Sequence, residues 1–144
     1  MATTIQRSAL LPFAAERVYR LVNDVAAYPR YMDGCVGAEV LESSDQHMLA
    51  RLDLAKAGVS YSFTTRNRLE PHECIEMSLE EGPFEQFTGT WRFHALAAQA
   101  CKVELDLRFS LAGSVRAAAM GKVINLVGNN LVDALSKRAG EIYG

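Results

Sequence analysis

Two spacings of apolar residues divide this chain. Early and late segments repeat at helical spacing, and a long middle segment repeats every second residue. Thr4–Leu11 reads as a first strand, closed by Pro12. Ala14–Val25 reads as a short helix, with Val18, Leu21, Val22 and Val25 forming one apolar stripe. Ala14 is a poor cap for that helix, a loss of about 1 kcal/mol relative to serine or threonine. Ala26–Met32 continues as a second helical turn, with Pro29 at an early position.

From Val36 onward the period is two. Val36, Ala38 and Val40 alternate with polar or small neighbours, as do Met48, Ala50, Leu52 and Leu54. Val59, Tyr61 and Phe63 follow, then Ile75, Met77 and Leu79, then Phe87, Trp91 and Phe93. Val103, Leu105, Leu107, Phe109 and Leu111 make the cleanest series, against Lys102, Glu104, Asp106, Arg108 and Ser110. Such alternation predicts an antiparallel sheet with one dry face and one wet face. Ser114–Tyr143 returns to helical spacing, with Ser114 as N-cap and a face of Val115, Ala119, Val123, Leu126, Val127, Leu131, Ala134 and Leu135. The dry face needs a cover, and the last helix is the only element large enough. The expected fold is therefore α+β: a curved antiparallel sheet of about seven strands around a long C-terminal helix. Residues 1–144 are expected to form a single domain.

Three features suggest that the grip is hollow. Gly121 and Gly128 lie near one edge of the helix's apolar face, where each costs about 1 kcal/mol relative to alanine. They fit a helix that leaves space or approaches another backbone. Asn130 falls inside that face, and Thr65 and Asn67 share the parity of Tyr61 and Phe63. Such groups need partners, either ligand oxygens or backbone and water. Aromatics cluster near the expected mouth, Tyr28, Tyr31, Phe63, Phe84, Phe87 and Trp91, and the stretch Asn23–Cys35, which breaks the hydrophobic rhythm with Tyr28, Pro29, Tyr31 and Gly34, reads as a lid across the open end of the sheet. The expected tunnel lining is Tyr28, Tyr31, Phe63, Trp91, Phe109, Val127 and Leu131, with Asn67 and Asn130 as polar contacts.

The 15 basic and 17 acidic residues leave a net charge of −2, which argues against a DNA-binding role or a general affinity for nucleic acid. Hydrophobic residues make up 49%, yet no apolar run approaches a membrane span. The first residues lack a basic region followed by an apolar core, so no signal peptide is expected. Cys35, Cys74 and Cys101 are odd in number and have no CxxC spacing, which fits a reduced cytoplasmic setting. His47, His72 and His94 are scattered, so no metal site is expected. No spacing suggests a catalytic relay, and Cys35 has no evident basic neighbour, so the chain is read as a non-enzyme.

Segment order and local wording together resemble the ubiquinone-binding START-like family, which includes bacterial RatA-type ribosome-association toxins and mitochondrial coenzyme Q-binding proteins. The matching stretches are Arg7–Leu10, Leu21–Val25, Tyr28–Pro29 with Cys35, Lys56–Gly58, Phe63–Asn67, Gly82–Phe84, and Gly89 with Trp91. The resemblance covers nearly the whole chain. It departs where the family commonly has Leu–Pro and this chain has Met32–Asp33, and where Ala14 replaces a Ser or Thr cap.

The resemblance implies a helix-grip fold with a hydrophobic tunnel. It implies binding of ubiquinone or a related polyprenyl lipid, with no further cofactor, in support of respiratory electron transport. Transient contact with the inner membrane would follow. The alternative it implies is a toxin that binds the large ribosomal subunit and blocks subunit joining. For that role the wet face offers Arg66, Arg68, Arg92, Lys102 and Arg108, mixed with Glu76, Glu80, Glu104 and Asp106.

Overall fold

The computed structural model describes residues 2–111 and 113–144. The strands are β1 (Thr3–Leu11), β2 (Cys35–Ser43), β3 (His47–Lys56), β4 (Val59–Glu70), β5 (Cys74–Glu81), β6 (Gln86–Ala97) and β7 (Ala100–Ser110). The helices are α1 (Ala15–Asn23) and α2 (Val115–Tyr143), and a 3-10 helix at Val25–Arg30 follows α1. All seven strands form one antiparallel sheet in the order β1-β7-β6-β5-β4-β3-β2. Every consecutive pair from β2 to β7 is a hairpin. Only β1, paired with β7 from Thr3↔Phe109 to Leu11↔Cys101, joins across the chain.

The alternation that predicts the strands also sets their faces. In β7 Cys101, Val103, Leu105, Leu107 and Phe109 are buried, and Lys102, Glu104, Asp106 and Arg108 face outward. The outward faces carry cross-strand ion pairs: Arg66 with Glu80 (3.1 Å), Arg68 with Glu76 (2.7 Å) and Arg92 with Asp106 (3.5 Å). These are exposed pairs, each worth about 0–1 kcal/mol. β2 departs from the expected pattern. Bulges between Cys35 and Gly37 and between Val40 and Glu42 shift its parity, so Val36 is 63% exposed and Cys35 turns inward.

Ser114 caps α2 as predicted, its hydroxyl accepting from the Ala117 amide at 2.9 Å. The buried face of α2 differs from the sequence reading. Met120, Val123, Ile124, Val127, Gly128, Val132, Leu135 and Ala139 are buried, whereas Val115 and Leu126 are exposed. Apolar residues run most of the way round this helix, so the sheet, not the helix's own pattern, selects the face. Gly128 explains the close seat. A Cβ there would stand 2.8 Å from Ile5 Cδ1 and 3.0 Å from Leu107 Cδ1. Gly121 is less tight, 3.3 Å from Leu111 Cδ1.

The α1 stripe of Val18, Leu21, Val22 and Val25 is buried as expected. No side chain caps this helix at Ala14. The second turn is a 3-10 helix because Pro29 removes an amide donor, and Tyr31 and Met32 both donate to the Tyr28 carbonyl.

Candidate functional site

The space between sheet and α2 has two unlike ends. At the β4–β6–β7 end, Phe63, Phe84, Phe87 and Phe109 interlock, with ring centroids 5.2–6.1 Å apart. Tyr61 adds an edge to Phe84 and donates to the Met120 carbonyl at 2.9 Å. This end is solid. The end beneath the 3-10 segment is not.

There, two small adjoining chambers remain. The larger, about 60 Å³, is lined by Tyr28, Met32, Cys35, Leu52, Leu54, Phe63, Thr65, Met77, Phe87, Trp91, Leu107, Ile124, Val127, Gly128 and Leu131. The smaller, about 30 Å³, is lined by Val22, Asn23, Val25, Tyr28, Ala50, Leu52, Thr65, Asn67, Ile75, Met77 and Trp91. Five side chains stand on both walls: Tyr28, Leu52, Thr65, Met77 and Trp91. Neither lining includes a charged side chain. Pockets for small molecules usually enclose roughly 300–1,000 Å³, so neither chamber as it stands admits one. Met32 and Met77, unbranched and flexible, are the walls best able to yield.

Of the predicted tunnel residues, Tyr28, Phe63, Trp91, Val127 and Leu131 line the chambers, and Asn67 lines the smaller one. Phe109, 2% exposed, lies instead in the solid aromatic end. Tyr31 packs edge-on against Tyr28 (6.1 Å) and under the Arg138 guanidinium (5.4 Å), outside both linings. Asn130 is a correction. It is exposed, and its amide donates back to the Leu126 carbonyl at 2.9 Å. The face of α2 is rotated from the one the sequence suggests, and Asn130 leaves with Leu126. The chamber-lining residues Met32, Leu52, Leu54, Leu107 and Ile124 were not singled out as lining by the sequence. Most carry the same alternation or helical spacing as ordinary core, and no local signal separates them from it.

The lid is held from three directions. The Tyr28 hydroxyl donates to the Val22 carbonyl. Gly34 has φ +90, and a Cβ there would stand 2.8 Å from Val127 Cγ2, so only glycine lets the turn press onto α2. Lys56 pairs with Asp33, which ties down the charge that distinguishes this loop from the family pattern. Burial pushes the Tyr28 and Tyr31 hydroxyls well above their usual range, with Tyr31 and Asp24 as the next influences respectively. Burial also pushes the Cys35 thiol up, and its Sγ donates to the Gly37 carbonyl. Cys35 is therefore a protonated wall residue with no activation as a nucleophile.

Among the described residues, three buried side-chain atoms lack a hydrogen-bond partner: Asn23 Oδ1, Tyr31 Oη and Arg138 Nε. Asn23 lines the smaller chamber. Among the described residues, no group of three or more His, Cys, Asp or Glu is placed to hold a metal ion. Among the described residues, no helix is long and apolar enough to cross a membrane.

Comparison with known proteins gives a consistent family. Residues 11–136 match the family model described as polyketide cyclase/dehydrase and lipid transport. The chain is 47% identical over 144 residues to the ribosome association toxin RatA of Pseudomonas aeruginosa, covering 100% of both chains. It is 42% identical over 139 residues to the protein of that name in Escherichia coli K12, covering 96% of this chain and 88% of the other. Among solved structures, the Zhui aromatase/cyclase of a Streptomyces species superposes with a TM-score of 0.86 at 19% identity, covering 100% and 97%. A START superfamily protein from Mycobacterium smegmatis superposes with a TM-score of 0.78 at 21% identity, covering 96% and 98%. These two superpositions bear on fold alone.

Proposed function

This chain belongs to the polyketide cyclase/dehydrase and lipid transport family, among its START-like, RatA-type members, and on that premise we propose that it is a non-enzymatic, cytoplasmic protein that associates with the large ribosomal subunit and hinders subunit joining. The observation that carries this reading is 47% identity maintained from end to end with a protein named for ribosome association. Identity of that extent covers surface as well as core, and a shared surface is what a shared partner requires. The absence of charged groups from both chamber linings favours a non-catalytic role, since acid–base chemistry needs a positioned proton donor or acceptor.

The test is to add purified protein to dissociated ribosomal subunits, restore magnesium, and separate the products on a sucrose gradient. The expected result is co-migration with the large subunit and a reduced joined-ribosome peak. Co-migration should weaken steeply with added salt, because contacts to RNA phosphates release counterions. Normal subunit joining at saturating protein would overturn the reading.

A second reading is favoured by the chambers themselves. Their apolar lining, the flexible methionines and the turn-like lid suit an apolar guest that widens them on entry. In this reading the guest is ubiquinone or a related polyprenyl lipid, acquired by transient contact with a membrane. Organic extraction of gently purified protein followed by mass spectrometry tests it, with near-stoichiometric quinone expected.

A further inference from the structure

We propose that the smaller chamber is a polar pole that reads a hydroxyl group on the ligand, so that the protein prefers a phenol- or hydroquinone-type head over a head that only accepts hydrogen bonds. The proposal rests on the apolar-guest reading above and specifies its head group.

The chemistry of the pole decides the preference. Asn67 is 5% exposed and Thr65 is 5% exposed. The Thr65 hydroxyl donates to Asn67 Oδ1 at 2.9 Å, which fixes the Asn67 amide nitrogen as the group left to donate. No described residue accepts from that nitrogen. Across the same chamber wall, Asn23 contributes Oδ1, buried and without a donor. One donor and one acceptor thus stand idle around about 30 Å³ of space. That volume holds a hydroxyl oxygen and little more. A hydroxyl can donate to Asn23 and accept from Asn67 together. A carbonyl or an ether oxygen can accept from Asn67 but leaves Asn23 Oδ1 orphaned, which carries a desolvation penalty.

Placement supports an orientation as well. The pole lies beside the larger, apolar chamber, and Trp91, Tyr28 and Met77 form walls of both. A head whose hydroxyl enters the smaller chamber therefore puts its ring in the larger one. Its apolar tail then leaves along Val127 and Leu131 on α2.

Trp91 is the only tryptophan in the chain and touches both chambers, so its fluorescence reports occupancy directly. The experiment titrates the full chain with 4-octylphenol and with 4-octylcyclohexanone, whose carbonyl oxygen is close to a hydroxyl in size but can only accept a hydrogen bond. The phenol should bind about tenfold or more tightly, the factor expected for one buried acceptor left unpaired. In Asn23→Leu that ratio should fall to about one, with ketone affinity held or improved. Asn23→Ala, a second route if the leucine variant does not fold, should collapse the ratio likewise, whereas Asn67→Leu removes the donor that both probes use and should weaken both with the ratio kept. Equal affinity of the two probes for the natural chain would overturn the proposal and leave the chamber holding ordered water only. A ratio unchanged in a folded Asn23→Leu would overturn it too. Silence of Trp91 toward both probes would instead remove the apolar-guest reading itself, and the proposal with it.

Discussion

The two ends of the grip are built from the same kind of strand and opposed to the same helix, yet one is full and the other is not. At the full end, Phe63, Phe84, Phe87 and Phe109 occupy the space between sheet and helix with mutual ring contacts. At the other end, beyond Phe63 and Phe87, which border both, Tyr28 and Trp91 share the wall with methionines, and two asparagines bring amides toward the interior. The full end has the tight packing of a conventional core. The chambered end retains polar groups without partners and soft side chains, both of which lower stability. A fold that keeps such a region beside a well-packed one has confined its plasticity to one place, beneath the lid.

Truncation should separate the two ends most sharply. Phe84→Ala at the full end should cost about 3–5 kcal/mol in urea-induced unfolding, the usual range for a buried phenylalanine. Leu131→Ala beside the chamber should cost clearly less, because Leu131 is only half-buried and already borders a void. Equal losses would erase the distinction.

Alkali should give the next largest effect. Tyr28, Tyr31 and Tyr61 all hold their protons more tightly in the folded protein than in the unfolded chain, chiefly through burial. Above the ordinary tyrosine range, about pH 10, the unfolded chain releases protons that the folded one keeps. Stability from these residues is therefore intact below that pH and is lost as pH rises through it. Melting temperature followed from pH 8 to 11 should fall steeply past about pH 10. Tyr31→Phe should soften that fall. An unaltered profile would mean that the lid opens before the tyrosine ionises.

The smallest effect on stability, and the most diagnostic for the chambers, is expected from Leu131→Trp. Overpacking a filled core costs about 1–3 kcal/mol. Here the added rings can occupy existing space, so stability should change by less than about 1 kcal/mol while octylphenol binding is lost. A strongly destabilised variant would show that this end has no room to give.

The sheet was largely legible from alternation, because a strand with one wet face writes its burial directly into every second residue. β7 is the clearest instance. β2 was misjudged at Val36, since two bulges shift its parity and nothing in the local sequence marks them. The extent of α2 followed from its spacing and from the Ser114 cap, but its buried face did not. Met120, Ile124 and Val132 compete with Val115 and Leu126 on hydrophobicity alone, and only packing against β1, β4 and β7 decides between them. Asn130 was misplaced for the same reason. Asn67 was found by parity with Phe63. Asn23 was read only as the end of the first helix and the start of the lid stretch, because its place on the chamber wall depends on β4 and β5 lying opposite, a relation no short window contains.

The unfilled chambers also make this protein sensitive to hydrostatic pressure. Unfolding eliminates internal voids, and such losses contribute to volume decreases of about 20–100 mL/mol for folded domains. Squeezing the solution should therefore loosen the lid end before the aromatic end yields. A guest lodged beside Trp91 would abolish that difference by leaving nothing to compress.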